Sequence, residues 1–365
     1  MKKAFKWLAA LCAVLAVAAA FTFGAGRAAA AGSKLDLSKM QIVLPAEATA
    51  VEQSAAAELN VYLEKMTGST LPIVPEGQSI SGKAVYIGAT QFAAGNAVAY
   101  PTDGDEFGEG WAIRPVDGNL VLTGAPTRGV LYAVYHLLED GLGVRWWTPW
   151  DEDIPTGGSA EVAADYNDSG VPAFEYRDIF IGVENKDSLY FVRNRVNGFT
   201  VNASAAYGGE EDYGYPAHTH TFNRYFPPYY GTADMSRAFE EYMNPRHENY
   251  FETHPEWFAL KNGERIPNGQ LCLTNVKEVF KQKLLQSIEY SYAEADAEGR
   301  ARPRYFSVVP NDSDGFCECE SCTAVRSEYG LAGELLLFVN DMAAAVKAQY
   351  PEVLIEMPAY WHYID

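Results

Sequence analysis

The sequence predicts an α/β protein in two parts. Residues 38–165 form a small α+β N-terminal domain, a sheet with helices on one face, and residues 171–365 form part of an eight-unit β/α barrel. Three observations predict this. Before residue 170, short β-rich runs are interleaved with two stretches of helical periodicity. From 171 the order settles into strand, loop, helix, which indicates a parallel sheet. About 330 residues remain once the leader described next is set aside, a length that suits two domains.

The leader reads MKKAFKWLAALCAVLAVAAAFTFGAGRAAAAGS. Lys2, Lys3 and Lys6 make a basic start, residues 7–23 are apolar, and Ala28 to Ala31 offer a small-residue cleavage site. This is the layout of a secretory signal peptide spanning 1–31, so the expectation is a secreted protein with no stable membrane insertion after cleavage. Cys12 follows Ala10-Leu11, a poor match to a lipoprotein cleavage box. No later segment reads as apolar enough to cross a membrane. Removing 1–31 removes four basic residues and no acid, taking the formal charge from −20 to −24. Such a surface repels polyanions, which excludes nucleic acid as a partner.

In the first part, QIVLPAE (41–47) reads as a strand. Residues 49–67 read as an amphipathic helix with Val51, Ala55, Leu59, Tyr62, Leu63 and Met66 on one face. KAVYIGAT (83–90) is a second strand, and Asp117-Gly118 marks the turn of a hairpin. A helix begins at Thr127 and ends near Gly141 or Gly143. In the second part, 175–181, 198–204, 270–275, 304–312 and 353–363 are the expected strands. One helix follows residue 275, capped reciprocally by Asn275 and Glu278, and another runs from about 327 to 349. Five strand–helix units fall short of the eight in a closed barrel, so the chain is expected to be a truncated piece of a longer protein.

Two stretches carry a resemblance. TRGVLYAVYHLLEDGLGVRWWTPWDEDIP resembles the closing helix and exit strand of the small domain that precedes the catalytic barrel in β-hexosaminidases and α-glucuronidases. There the domain is a scaffold without catalytic residues. HTF (220–222), HPEWFALKNGER (254–265), QLCLTN (270–275), VVPND…FCECESC (308–322) and LLLFVNDMAAAVKAQYP (335–351) together resemble a bacterial family known as domain of unknown function 4838. The resemblance implies a secreted, glycoside-hydrolase-like protein with a partial (β/α)8 TIM-barrel-like domain.

Residues at the C-terminal ends of barrel strands face the active site. Asn311 and Asp312 stand at such an end, where related hexosaminidases carry an Asp-Glu pair. Asp312 is therefore the candidate catalytic acid or base, against the plainer role of an Asx-turn or cap residue. Asp178, Glu184 and Asp314 are the carboxylates near enough in sequence to be weighed as partners, and none is singled out. Asn311, His220, Arg177, Tyr360 and Trp361 are the candidate substrate-binding residues, the last two as stacking surfaces for a sugar ring. His218 and His220 have metal-like spacing without a third ligand near in sequence. The aromatic clusters RWWTPW and RYFPPYY fit either sugar stacking or a packed interface.

Beyond residue 31 four cysteines remain: Cys272, Cys317, Cys319 and Cys322. Adjacent parallel strands would bring Cys272 to the other three. The set is then either a structural zinc site or two disulfides, and a secretory route favours the latter chemistry. No cofactor is expected for catalysis. The function expected is an exported glycoside hydrolase acting on an oligo- or polysaccharide. The alternative is a non-catalytic carbohydrate-binding or cell-surface structural module.

Overall fold

The structure is a computed structural model that describes residues 32–179 and 188–360. The expected signal peptide, residues 180–187 and the segment from Trp361 onward lie outside the described residues. Contacts divide the chain into residues 1–210 and 211–365. The segment 171–210, expected to open the barrel, thus groups with the first unit. Phe191, Val192, Val196 and Val201 join the core of that unit.

The first unit is built on a six-stranded mixed sheet. Its strands are β1 (Gln41–Leu44), β2 (Ile73–Pro75), β3 (Ala84–Ile87), β4 (Trp111–Val116), β5 (Asn119–Gly124) and β6 (Asp168–Gly170), in the spatial order β6-β4-β5-β3-β1-β2. Strands β2, β1, β3 and β5 run parallel to one another, and β4 runs antiparallel to both of its neighbours, β5 and β6. Alternation along the strands decides the faces. Ile42, Val85, Ile87, Leu120 and Leu122 enter the main core, while Val43, Ala84, Tyr86 and Val121 enter a smaller cluster. The second face is therefore also covered, with Phe92 and Ala93 of a short helix (Gln91–Gly95) packed there. This corrects the expectation of helices on one face only.

Helix α1 (Ala50–Thr67) starts at a capping box. The Thr49 hydroxyl accepts from Glu52 N–H, and the Glu52 carboxylate accepts from Thr49 N–H at 2.8 Å. Glu52 also accepts from Ala89 N–H at 2.8 Å, and Gly88 is where a Cβ would collide with that carboxylate. Helix α2 (Gly129–His136) continues into a π-helical turn (Leu137–Gly141) that ends before Gly143, close to the expected stop. The hairpin between β4 and β5 turns at Asp117 and Gly118, both with positive φ, as the sequence predicts.

The second unit contains a parallel β/α arrangement. Helix α3 (Leu273–Glu298) leads to β7 (Tyr305–Ser307), and helix α4 (Glu320–Lys347) leads to β8 (Leu354–Glu356), which pairs parallel with β7. Tyr213 adds a parallel bridge on the other side of Tyr305. Phe280, Leu284, Ile288, Phe338, Val339 and Met342 of the helices pack with Phe306 and Val308 from the sheet.

Three expected strands differ. Residues 175–179 and 198–204 contain no strand, and Asn202 takes a left-handed φ of 52° that interrupts extension. Residues 270–275 give one bridge, Phe258 to Leu271, before Cys272 becomes the N-cap of α3. Asn275 lies inside the helix and donates to Glu256 O instead of capping. Helix α4 starts seven residues earlier than expected and is kinked at Gly330, whose φ is 73°. It is also long and apolar enough to cross a membrane, contrary to expectation. Its apolar face, Leu335, Phe338, Val339, Met342 and Val346, is buried in this unit's core.

Candidate functional site

Strand β7 and its exit position the site. Along it Phe306 and Val308 turn toward α3 and α4, as Ile355 and Met357 do on β8. Ser307 and its register partner Glu356 lie on the opposite face, the one that looks inward in a β/α barrel. The Ser307 hydroxyl is fully buried and donates to Glu356 Oε2 at 2.6 Å. Burial pushes the Glu356 carboxyl above the ordinary glutamate range, and the Ser307 bond only partly opposes that. Glu356 was not among the residues singled out from the sequence. Its signal was a lone acid in the apolar run VLIEMP, which helical or strand periodicity alone reads as a solvent-facing position.

Past Val309 the chain is locked in place by Asn311. This residue is buried, its Nδ2 donates to Asn223 Oδ1 (2.7 Å) and Gly269 O (2.9 Å), and its Oδ1 accepts from Asn223 N–H (2.9 Å). Its backbone N–H donates to Gln270 Oε1 at 2.9 Å. Every polar group of the Asn311 side chain is thus engaged inside the protein. Asn311, expected to touch substrate, is an anchor for the loop. Asp312, the next residue, is exposed on that loop.

His220 is brought beside this loop. Its Nδ1 lies 3.0 Å from Pro310 O, and the residue is exposed with a left-handed φ of 49°. Tyr360, four residues beyond β8, is 62% exposed. Trp361 lies outside the described residues. Arg177 is bonded within the first unit, where its guanidinium donates to Glu109 (2.7 Å), Tyr132 OH (2.9 Å) and Arg195 O (2.6 Å). Glu109 is buried and is also held by Arg128 and Asn197, so Arg177 closes a structural charge network.

The aromatic clusters divide between packing and exposure. Trp146 is buried and donates to Tyr62 OH at 2.7 Å, whereas Trp147 and Trp150 are exposed. Tyr225 and Phe226 of RYFPPYY are fully buried against Phe280, which is core packing.

The four cysteines converge. Cys272 caps α3, Cys317 lies in the loop after Asp312, Cys319 caps α4 and Cys322 sits in its first turn. Their sulfurs all lie within 4.8 Å of one another, with Cys272 Sγ 3.7 Å from Cys319 Sγ and 3.8 Å from Cys322 Sγ. No disulfide joins any of the four. Hydrogen bonds from the Cys272 and Cys322 thiols and from Leu260 N–H hold the Cys317 thiol well below the ordinary range. The set of donors is the kind that holds a soft divalent metal.

Fold and site together define a mixed α/β protein in which a sheet-and-helix unit precedes a parallel β/α unit with acidic groups beyond its strand ends. The chain belongs to the family described as domain of unknown function DUF4838, whose profile matches residues 146–365. A second profile, the N-terminus of glycosyl hydrolase family 67, matches residues 29–137. Both agree with the resemblances in the sequence. No curated protein matches the chain.

Among solved structures, a family GH115 4-O-methyl-α-glucuronidase with specificity for decorated arabinogalactans is similar at 10% identity and a TM-score of 0.48. The match covers 91% of this chain and 43% of that one. The N-acetyl-β-hexosaminidase of Streptomyces plicatus, in complex with Thio-NAglucal, is similar at 13% identity and a TM-score of 0.41, covering 89% and 62%. This chain therefore spans less than two thirds of either.

Proposed function

We propose that this chain is an exported carbohydrate-active protein, a glycoside hydrolase acting on an oligo- or polysaccharide at the C-terminal ends of β7 and β8. One observation carries the reading. Glu356, on the sheet face opposite the one packed on α3 and α4, has its carboxyl raised by burial, and Asp312 stands exposed beyond the neighbouring strand. Glycoside hydrolysis needs two carboxyl groups in different environments, one that keeps its proton at working pH and one that is ionised. The match of residues 29–137 to the N-terminus of glycosyl hydrolase family 67 supports the same reading.

Glu356 acts as the general acid. As the glycosidic C–O bond breaks, the departing oxygen takes its proton, which removes the need to expel an alkoxide. Asp312 serves as base for the water that attacks the anomeric carbon and replaces the broken C–O bond. Asn311 and Gln270 keep the Asp312 loop from drifting, and Ser307 fixes the Glu356 carboxyl. His220 and Tyr360 supply a polar contact and a flat stacking surface for the sugar.

The full-length protein on a panel of oligosaccharides tests this. Hydrolysis by the wild type is expected, with Glu356→Gln and Asp312→Asn each losing at least about 100-fold in kcat while glycan binding persists. Binding without turnover in the wild type would replace the enzyme with a carbohydrate-binding module. The absence of both would leave a structural module.

A further inference from the structure

We propose that Cys272, Cys317, Cys319 and Cys322 bind one zinc ion as a closed tetrahedral structural site. Geometry comes first. A zinc–sulfur bond of about 2.3 Å makes the edge of an S₄ tetrahedron about 3.8 Å. The separations of Cys272 Sγ from Cys319 Sγ and Cys322 Sγ, 3.7 and 3.8 Å, equal that edge, and all four sulfurs fall inside one 4.8 Å envelope. Disulfides require partners about 2.05 Å apart in two separate pairs. Here Cys272 is equally close to two different sulfurs, which suits a shared central ion and not a choice of one partner.

The surroundings suit a thiolate cluster. Four thiolates and one zinc carry a net charge of −2, which buried sulfurs hold only with donors aimed at them. Leu260 N–H (3.4 Å) and the Arg265 guanidinium (3.8 Å) both donate to Cys317 Sγ, and Thr274 Oγ1 lies 3.3 Å from Cys322 Sγ. The first two come from a hairpin whose strands are Leu260–Lys261 and Glu264–Arg265, turning at Asn262 and Gly263. This hairpin is pinned over the cysteine loop by Glu318 N–H to Leu260 O at 2.7 Å. Three cysteines are buried and the fourth is half-buried, so no position is left open for water or substrate. The ion holds structure and does no chemistry.

Its mechanical role follows from where the ligands sit. Cys272 and Cys322 belong to the starts of α3 and α4, and Cys317 and Cys319 to the loop that leaves Asp312. One ion thus ties both helix starts to the carboxylate-bearing loop. Metal binding of this kind is folding free energy, because the sulfurs are scattered in the unfolded chain.

Metal analysis of the purified full chain, with intact mass measured without reductant, tests the proposal. About one zinc per chain and four thiols alkylated only after chelation are expected. Replacement by Co(II) is expected to give thiolate-to-metal charge-transfer and intense visible bands of a tetrahedral ion. The Cys272→Ser/Cys322→Ser variant is expected to retain less than about a tenth of the metal. If that variant does not fold, the wild-type metal content and cobalt spectrum decide alone. A metal-free wild type, or one whose mass shows two disulfides, would overturn the site.

Discussion

Gln270 and Asn311 clasp each other across the loop that leaves β7. Asn311 N–H donates to Gln270 Oε1 at 2.9 Å, and Gln270 Nε2 returns a bond to Asn311 O at 2.6 Å and a second to Ser313 O at 2.7 Å. Both residues are buried, so neither set of groups has water to fall back on. The clasp holds the backbone on both sides of Asp312.

Gln270→Leu keeps the volume and deletes three hydrogen bonds, leaving Asn311 N–H and Ser313 O without this partner, while Asn311 O keeps its bond from Ser313 N–H. A loss of about 3 kcal/mol in denaturant unfolding is expected. Kinetics on the folded fraction should show a lower kcat, since the Asp312 loop is released. A change below about 0.5 kcal/mol would mean that the clasp holds nothing.

Glu356 gives a pH signature of known sign. Its folded pKa is raised, so the folded state holds the proton more tightly than the unfolded chain does. The stabilisation this brings is full below the unfolded glutamate pKa and is lost as pH rises through the folded value. Glu356→Gln should therefore unfold with a weaker loss of stability on going from acid to neutral pH than the wild type. In the proposed enzyme the same ionisation sets the alkaline limb of kcat/KM, and that limb should vanish in the variant along with most of the activity. Parallel stability profiles for the two proteins would remove Glu356 as a perturbed group.

Lys283 of α3 is buried among Phe226 and Tyr250, donating to Met243 O and Tyr250 OH at 2.9 Å each. Burial lowers its pKa from 10.5 to about 8. Between those values the unfolded chain binds the proton and the folded chain does not, so stability rises with pH across that window. The rise is about 3 kcal/mol at about 1.4 kcal/mol per pH unit. Lys283→Met should flatten it, as read from urea unfolding at pH 7.5 to 10.5 in both proteins.

Arg177 is expected to act on stability and not on sugar binding. Removing it by Arg177→Met leaves the buried Glu109 with fewer donors, a loss of about 3 kcal/mol. Glycan affinity measured on folded protein should be unchanged. A weakened affinity with intact stability would return Arg177 to the binding site.

The architecture of the first unit was legible because its signals are local. The helical periodicity of 49–67, the Asp117-Gly118 turn and the β-rich run at 83–90 act over a few residues, and the structure has a helix, a turn and a strand there. Segments 198–204 and 270–275 misled for the opposite reason. Their β-rich composition met Asn202 in a left-handed conformation and a helix start at Cys272, outcomes set by packing and not by periodicity.

By itself, the sequence determined which residues could do chemistry: four thiols beyond residue 31, an acid after a β-rich run, and aromatics in clusters. Tertiary structure decided what each is placed to do. It set Glu356 against Ser307, committed Asn311 to the loop, moved Arg177 into a buried ion network, and gathered sulfurs up to 50 residues apart. The reason is that acidity, hydrogen-bond satisfaction and metal affinity depend on the distance to groups far away in the chain and on the water excluded between them. Neither quantity exists until the chain has packed.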